Sequence, residues 1–387
     1  MDRRGVSVRT FGVEEEFLLV DPQSGCAVPV APQVLAGVDD VPAWSDQPGD
    51  DSQTGAAPAC PRRSELTMEL QQQMIEVATP PRTALAALSD DLRRLRRTAD
   101  AAARRVGARV AALATSPLPA RPRISPSPRY QAISRALALA CDEQLTCGCH
   151  VHVAVTSPDE GVAVLDRIRP WLPAVAAVAT NSPFWNGIDT GYASYRTQSW
   201  SRWPATGPTE VFGSAAAYRR LVDDMIGTGT LLDEGMVYFD ARLSRRYPTV
   251  EVRVADVCLD VADAVLVAAL CRALVDTAAG EWRAGAPASG EPAALLRLAS
   301  WRSSRSGTDG DLVDPRTHRL RPAAEVLAGL VGHVEAALHA NGDLDVVRES
   351  IHRVVEQGTG ARAQRESVAR HGRLDAMVLE AVERTSA

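Results

Sequence analysis

Four short stretches of this sequence hold the residues able to do chemistry, and each sets ionisable side chains into an otherwise apolar run. In the first, Phe11 to Asp21 (FGVEEEFLLVD), three carboxylates sit among β-branched and aromatic residues. That composition, closed by Asp21-Pro22, predicts a β-strand. Alternation then points Glu14 and Glu16 to one face and Glu15 to the other, where it should tolerate replacement. Two carboxylates ~7 Å apart on a buried face repel each other and are costly to desolvate unless they hold a cation or titrate. The alternative is an edge strand with its acids in water. In the second stretch, SELTMELQQQMIEVATPP, Glu69 and Glu76 share a face if the segment is helical. They lie on opposite faces of a regular strand unless a bulge intervenes.

The third stretch, CGCHVHVAV, places His150 and His152 on one strand face and Val151, Val153 and Val155 on the other. Two imidazoles at that spacing reach one site, as metal ligands or as donors to a phosphate or carboxylate; purely structural histidines are the alternative. The fourth, TVEVRVADV, sets Glu251 and Arg253 against Val250, Val252 and Val254. A cross-strand ion pair explains that pair alone, but beside three other acid-bearing segments a metal-plus-anion site is the better reading. Hard oxygens with one or two imidazoles favour Mg²⁺ or Mn²⁺ over zinc and suit a nucleotide phosphate bridged by metal. The sequence has no GxxxxGK[ST], GxGxxG or GxSxG motif, so bound ATP would have to be held by strands and metal ions.

These residues need positioning elements. Residues 22 to 63, rich in Pro, Gly, Asp and Ala, read as a loop region with a flexible centre over 46–63. A long helix follows from Thr83 to about Val106, with Leu85, Leu88, Leu92 and Leu95 on one side. Val110–Thr115 reads as a short strand, Tyr130–Gln144 as a helix, Leu145–Thr156 as a strand and Asp159–Thr180 as an apolar helix. Residues 181–208 form a loop with an unusual concentration of aromatics, Gly and Arg. A helix near Ala215–Ile226, a strand pair between Val237 and Val257 and then mostly helices complete the chain.

The 387 residues, 45% hydrophobic, suffice for one large domain or two ordinary ones. A net charge of −6 argues against a nucleic-acid or anionic-membrane partner while leaving room for a local basic pocket. With no apolar run of membrane-spanning length and no signal peptide, the expected location is the cytoplasm. The seven cysteines are an odd, scattered set that suits reduced thiols, and Cys147 and Cys149 are too close for a usual zinc pair.

Taken in order, GVEEE, ELQQQMIEVAT, CHVHVAV and TVEVRVADV resemble the motifs of the carboxylate–amine ligase family that includes the type 2 glutamate–cysteine ligases. The likeness extends to RYQAI at Arg129, to YASYRTQSWSRWP and to DPRTHRLRP near Asp314, so it covers most of the chain as a single domain over 1–387. The resemblance implies an α+β fold like that of glutamine synthetase: a curved, mainly antiparallel sheet with helices packed on one face. It implies that Glu14, Glu16, Glu69, Glu76, His150 and Glu251 hold two or three Mg²⁺ ions. Arg253 and Arg196 would face phosphates or substrate carboxylates, and His152 would contact substrate or nucleotide. The implied reaction joins L-glutamate to L-cysteine with ATP, through γ-glutamyl phosphate. The amine acceptor is the open element, and a homo-oligomer is compatible with all of this. Two other classes remain: a metal-dependent hydrolase, and a catalytically silent binding protein on the same scaffold.

Overall fold

The computed structural model describes residues 8–37 and 66–387, so the loop expected at 46–63 lies outside the described residues. Seven strands form the main sheet: β1 (Phe11–Val20), β2 (Leu66–Met68), β3 (Met74–Ala78), β4 (Arg109–Ala111), β5 (Gly148–Ala154), β6 (Ala241–Leu243) and β7 (Thr249–Asp256). Their order is β2-β3-β1-β5-β7-β6, with β4 pairing to the C-terminal part of β1, and every pairing is antiparallel. The acid-rich strand is therefore central, hydrogen-bonded on both sides, and the edge-strand alternative is excluded. Its burial alternates over the first half, where one face carries the acids. Over Phe17–Val20 every residue is buried.

Helices α1 (Leu85–Arg104), α2 (Tyr195–Trp200), α3 (Val261–Arg283) and α4 (Gly360–His371) matter most for the site. In α1, Leu85, Leu88, Leu92, Leu95 and Ala99 recur at helical spacing and are buried against the sheet. The same buried side sends Arg96 to Glu15. Arg96 Nε donates to Glu15 Oε2 at 2.9 Å, and its two Nη atoms donate to the Leu259 and Cys258 carbonyls at 2.8 Å. Glu15 points away from the other acids, as alternation requires. The expectation that it tolerates replacement took no account of this partner: both side chains are 0% exposed and neither charge has water to fall back on. Helix α3 is buried nearly all round from Val261 to Val275, and its Arg272 lies 4.2 Å over the Phe11 ring on this same back face.

Several expected elements are shorter or broken. The helix over 130–144 divides at Ala138, whose φ of 47° no continuing helix allows, into Pro128–Leu137 and Leu139–Asp142. The helix over 159–180 becomes Pro158–Ile168 and Leu172–Val178 around a tight turn at Arg169–Trp171. Pro170 and Pro173 each sit in the first turn of a new segment, where no amide proton is needed. Residues 22–37 include a short helix, Ala31–Ala36, and the strand at 110–115 contracts to β4. Region 181–208 is not all loop: it contains a two-residue hairpin and α2. Among the described residues, no helix is long and apolar enough to cross a membrane.

Replacing Glu15 by Gln leaves the Arg96 charge buried and uncompensated. We expect denaturant unfolding to show a loss of about 3–5 kcal/mol; a variant as stable as the parent would show that the pair contributes nothing to the fold.

Candidate active site

Residues directly opposite in an antiparallel ladder project to the same side. Glu16 lies opposite Glu76, Glu14 opposite His150, His152 opposite Glu251, and Glu251 opposite Arg242. One face of four adjacent strands thus gathers Glu14, Glu16, Glu76, His150, His152 and Glu251. Glu69 joins them by a route that was not anticipated. The segment is neither a helix nor one irregular strand: β2 and β3 fold back on each other with Thr67 opposite Glu76, and Glu69 lies in the reversal. It lines the same cleft as Glu16 and His150.

The β5–β7 register shifts between Cys149 and Val151, so that Arg253 and Val254 together oppose His150. This bulge interrupts the alternation expected for TVEVRVADV, yet Arg253 still lines the cleft and donates through Nη1 to Glu251 Oε1. Glu251 is gripped from its other side by Arg242, whose Nε and Nη2 donate to its two oxygens at 2.9 and 3.1 Å. Arg242 holds in turn to the Val237 carbonyl at 2.7 Å. Sequence reasoning missed Arg242, because a three-residue strand is too short to show alternation.

Two overlapping groups have ligand atoms within 4.8 Å of one another: Glu14, His150 and Glu251, and Glu16, Glu76 and His150. The Nε2 atoms of His150 and His152 are buried without a hydrogen-bond partner. His152 Nδ1 is engaged by Thr249 Oγ1 at 3.0 Å, and its Nε2 lies 3.5 Å from Glu14 Oε2. Burial pushes Glu76 well above the usual carboxylate range, with the charges of Glu14, Glu69 and Glu16 adding to it. Burial and the Glu16 charge push Glu69 up to about 8. Burial also acts upward on Glu14, but the imidazoles of His150 and His152 outweigh it and hold this acid well below the ordinary range. Glu251 is likewise lowered, since Arg253 and Arg242 overcome the effect of burial. His150 is lowered by burial and by Arg253, whereas for His152 the adjacent Glu14 reverses the effect of burial and raises it. Crowded carboxylates and the unpartnered His150 Nε2 on one rigid face are a donor set that fits a hard divalent cation, which relieves the repulsion by binding the charged forms.

Arg196, from the first turn of α2, reaches over this face and lines the cleft, its Nη2 3.4 Å from the Arg253 carbonyl. Gly148 makes room for it: a Cβ there would lie 2.4 Å from Arg196 Nη2 and 2.9 Å from His150 Nε2. The Gly148 amide also donates to Glu16 Oε2 at 2.5 Å. Glu16, Glu69, His150, Arg196 and Arg253 share a cleft with Leu70, Met74, Gln144, Thr146 and Trp200. Of that second set the sequence flagged only Trp200, through the aromatic richness of its segment. Arg129 and Asp314, from two further motifs, pair with Asp233 and Arg316 outside the cleft lining.

The architecture is that of the glutamate–cysteine ligases of known structure. The chain superposes on glutamate–cysteine ligase from Francisella tularensis, solved in complex with AMP, with a TM-score of 0.68 at 14% identity, covering 98% of this chain and 88% of that one. It matches a bifunctional glutathione synthetase from Pasteurella multocida with a TM-score of 0.68 at 13% identity, over 98% of this chain and 52% of that one. At such identities the likeness is one of fold. Residues 10–383 match the model of glutamate-cysteine ligase family 2, and the chain belongs to that family. A Streptomyces coelicolor protein with the provisional name glutamate–cysteine ligase 2 is 50% identical over 380 residues, 98% of this chain and 100% of its own. A similarly named protein of Frankia alni is 50% identical over 371 residues, 96% of this chain and 95% of its own.

A Cβ at position 148 would press on both the Arg196 guanidinium and the buried His150 ring, so Gly148→Ala should cost about 1–3 kcal/mol of stability while displacing Arg196. We expect weaker binding of tripolyphosphate, a probe for cationic clefts, by calorimetry; unchanged affinity would show that position 148 does not control the guanidinium.

Proposed function

We propose that this protein is an ATP-dependent carboxylate–amine ligase that joins L-glutamate to L-cysteine, giving γ-glutamylcysteine, ADP and phosphate. The observation that carries the proposal is the pair of overlapping carboxylate–imidazole groups on one sheet face, set beside two buried guanidinium groups in a single cleft. Family membership and the AMP complex of a fold relative support the nucleotide part of the reading.

Glu14, Glu16, Glu69, Glu76, His150 and Glu251 would hold Mg²⁺, or Mn²⁺, which when bound supplies positive charge against the phosphates of ATP. Arg253 and Arg196 would bind the transferring phosphoryl group or the substrate carboxylate, and His152 would contact substrate or nucleotide. In the first step the γ-carboxylate of glutamate attacks the γ-phosphorus, the β,γ-bridging P–O bond breaks and ADP leaves. In the second, the amine attacks the acyl carbon of γ-glutamyl phosphate, loses its proton and expels phosphate. The acyl phosphate is vulnerable to water, so the cleft wall built by Leu70, Met74 and Trp200 would serve to exclude it. The reading places the reaction in the cytoplasm, in one domain over 1–387, with small-molecule substrates.

Phosphate release at fixed glutamate and Mg-ATP should depend on an added amine, and mass spectrometry of an acceptor panel should show a product of summed mass less water. A stronger response to an amine other than cysteine would keep the chemistry and change the acceptor. ATP turnover indifferent to every amino acid and amine would overturn the assignment. Separately, Glu14→Gln should weaken Mn²⁺ binding by about tenfold or more in a folded protein, whereas unchanged binding would remove Glu14 from the ligand set.

A further inference from the structure

Arg196 is the cleft cation least secured by contacts of its own. Nη2 reaches the Arg253 carbonyl at 3.4 Å and Nη1 lies 3.8 Å from Asp256 Oδ1, long contacts for a residue that is only 4% exposed. What fixes it comes from behind the cleft. Asp256 ends β7, is 1% exposed, and is not among the residues that line the cleft. Its Oδ2 accepts from the Asn181 amide at 2.8 Å and from the Ser182 hydroxyl at 2.7 Å, and its Oδ1 from the Ser194 hydroxyl at 2.9 Å.

The direction of the two hydroxyl bonds is set by what else the hydroxyls do. Ser182 Oγ accepts the Arg196 amide proton at 3.0 Å, and Ser194 Oγ, the N-cap of α2, accepts from the Thr197 amide at 3.4 Å. Ser194 Oγ also lies 2.9 Å from Thr197 Oγ1, and with that threonine hydroxyl as donor the proton of each serine goes to the carboxylate, which can only accept. One buried carboxylate thus holds two successive amides of the first turn of α2 through one serine each, and it places a negative charge behind the Arg196 guanidinium. Asn181 is itself immobilised: its Nδ2 donates to the Ala112 and Val257 carbonyls at 2.8 Å, and Gln364 of α4 donates to its Oδ1 at 2.7 Å.

We infer that Asp256 is a positioning residue that sets both the backbone and the guanidinium of Arg196, so that this cation faces the anionic group bound in the cleft. The inference rests on the anion-binding role of Arg196 proposed above. It also accounts for the segment 181–196 and helix α4, which hold the carboxylate's donors in place.

A double-mutant cycle with Asp256→Asn and Arg196→Ala tests it, read by calorimetric affinity for L-glutamate and for an ATP analogue with a non-hydrolysable β,γ bridge. The readout is whichever ligand Arg196→Ala weakens. For that ligand, Asp256→Asn should cost about tenfold in the native background and less than about twofold once Arg196 is gone. Ser182→Ala keeps the carboxylate and removes one bridge, so it should give a smaller loss with the same dependence on Arg196, even if Asp256→Asn folds poorly. A loss that persists undiminished in the Arg196→Ala background, or Asp256→Asn and Ser182→Ala variants that both bind like the parent, would overturn the role of Asp256 alone. If Arg196→Ala weakens neither ligand, the anion-binding role of Arg196 fails, and the inference falls with it.

Discussion

Repulsion among carboxylates gathered on one sheet face is the constraint that the rest of this structure serves. Glu14, Glu16, Glu69 and Glu76 come from two adjacent strands and the reversal beside them, and burial, with the neighbouring carboxylates adding to it, pushes Glu69 and Glu76 upward. In a flexible loop such acids would swing apart into water. Here the ladder bonds of a central strand paired on both sides forbid it, so the site keeps an electrostatic tension that a divalent cation would relieve.

The cations are distributed unevenly. Arg242 and Arg253 both spend donors on Glu251, while Arg196 is braced from behind by Asp256. Of the charged groups that line the cleft, the acids come from β1 and the β2–β3 reversal and the guanidinium groups from β7 and α2. A phosphorylated group placed between metal ions and arginines would meet positive charge from both directions, which is what spreading charge in a phosphoryl-transfer transition state calls for. A face that was uniformly acidic could bind metal but would have nothing with which to hold the anion from its far side.

Much of this was legible because strand alternation is a strict code. The sharing of a face by Glu14 and Glu16, and by His150 and His152, follows from period two alone, and both pairs lie as read. What could not be read depends on pairing partners distant in the chain. The Glu69–Glu76 geometry hangs on a reversal between a three-residue strand and a five-residue one, whose apolar pattern is equally compatible with other conformations. Arg242 is identified only by its place opposite Glu251, and Asp256 only by the two serines and the asparagine that converge on it from residues 181–194. The burial of Glu15 was hidden for the same reason. Its partner is 81 positions away on a helix whose other arginines are exposed, so nothing local marks Arg96 as the exception.

That hidden pair bears on the register of the visible site. A slip of β1 by one residue exchanges its two faces. Glu14 and Glu16 would then turn into the buried back face, and Glu15 would leave Arg96 buried without a counter-charge. Val13 and Phe17, now 1% and 0% exposed, would turn toward the cleft. Each of these consequences is costly and they occur together, so the alternative register is disfavoured by far more than any single contact contributes. The middle acid of FGVEEEF, Glu15, therefore serves the other two from behind the sheet. A carboxylate at position 15 matched to Arg96 thus holds the register that keeps Glu14 and Glu16 facing the cleft.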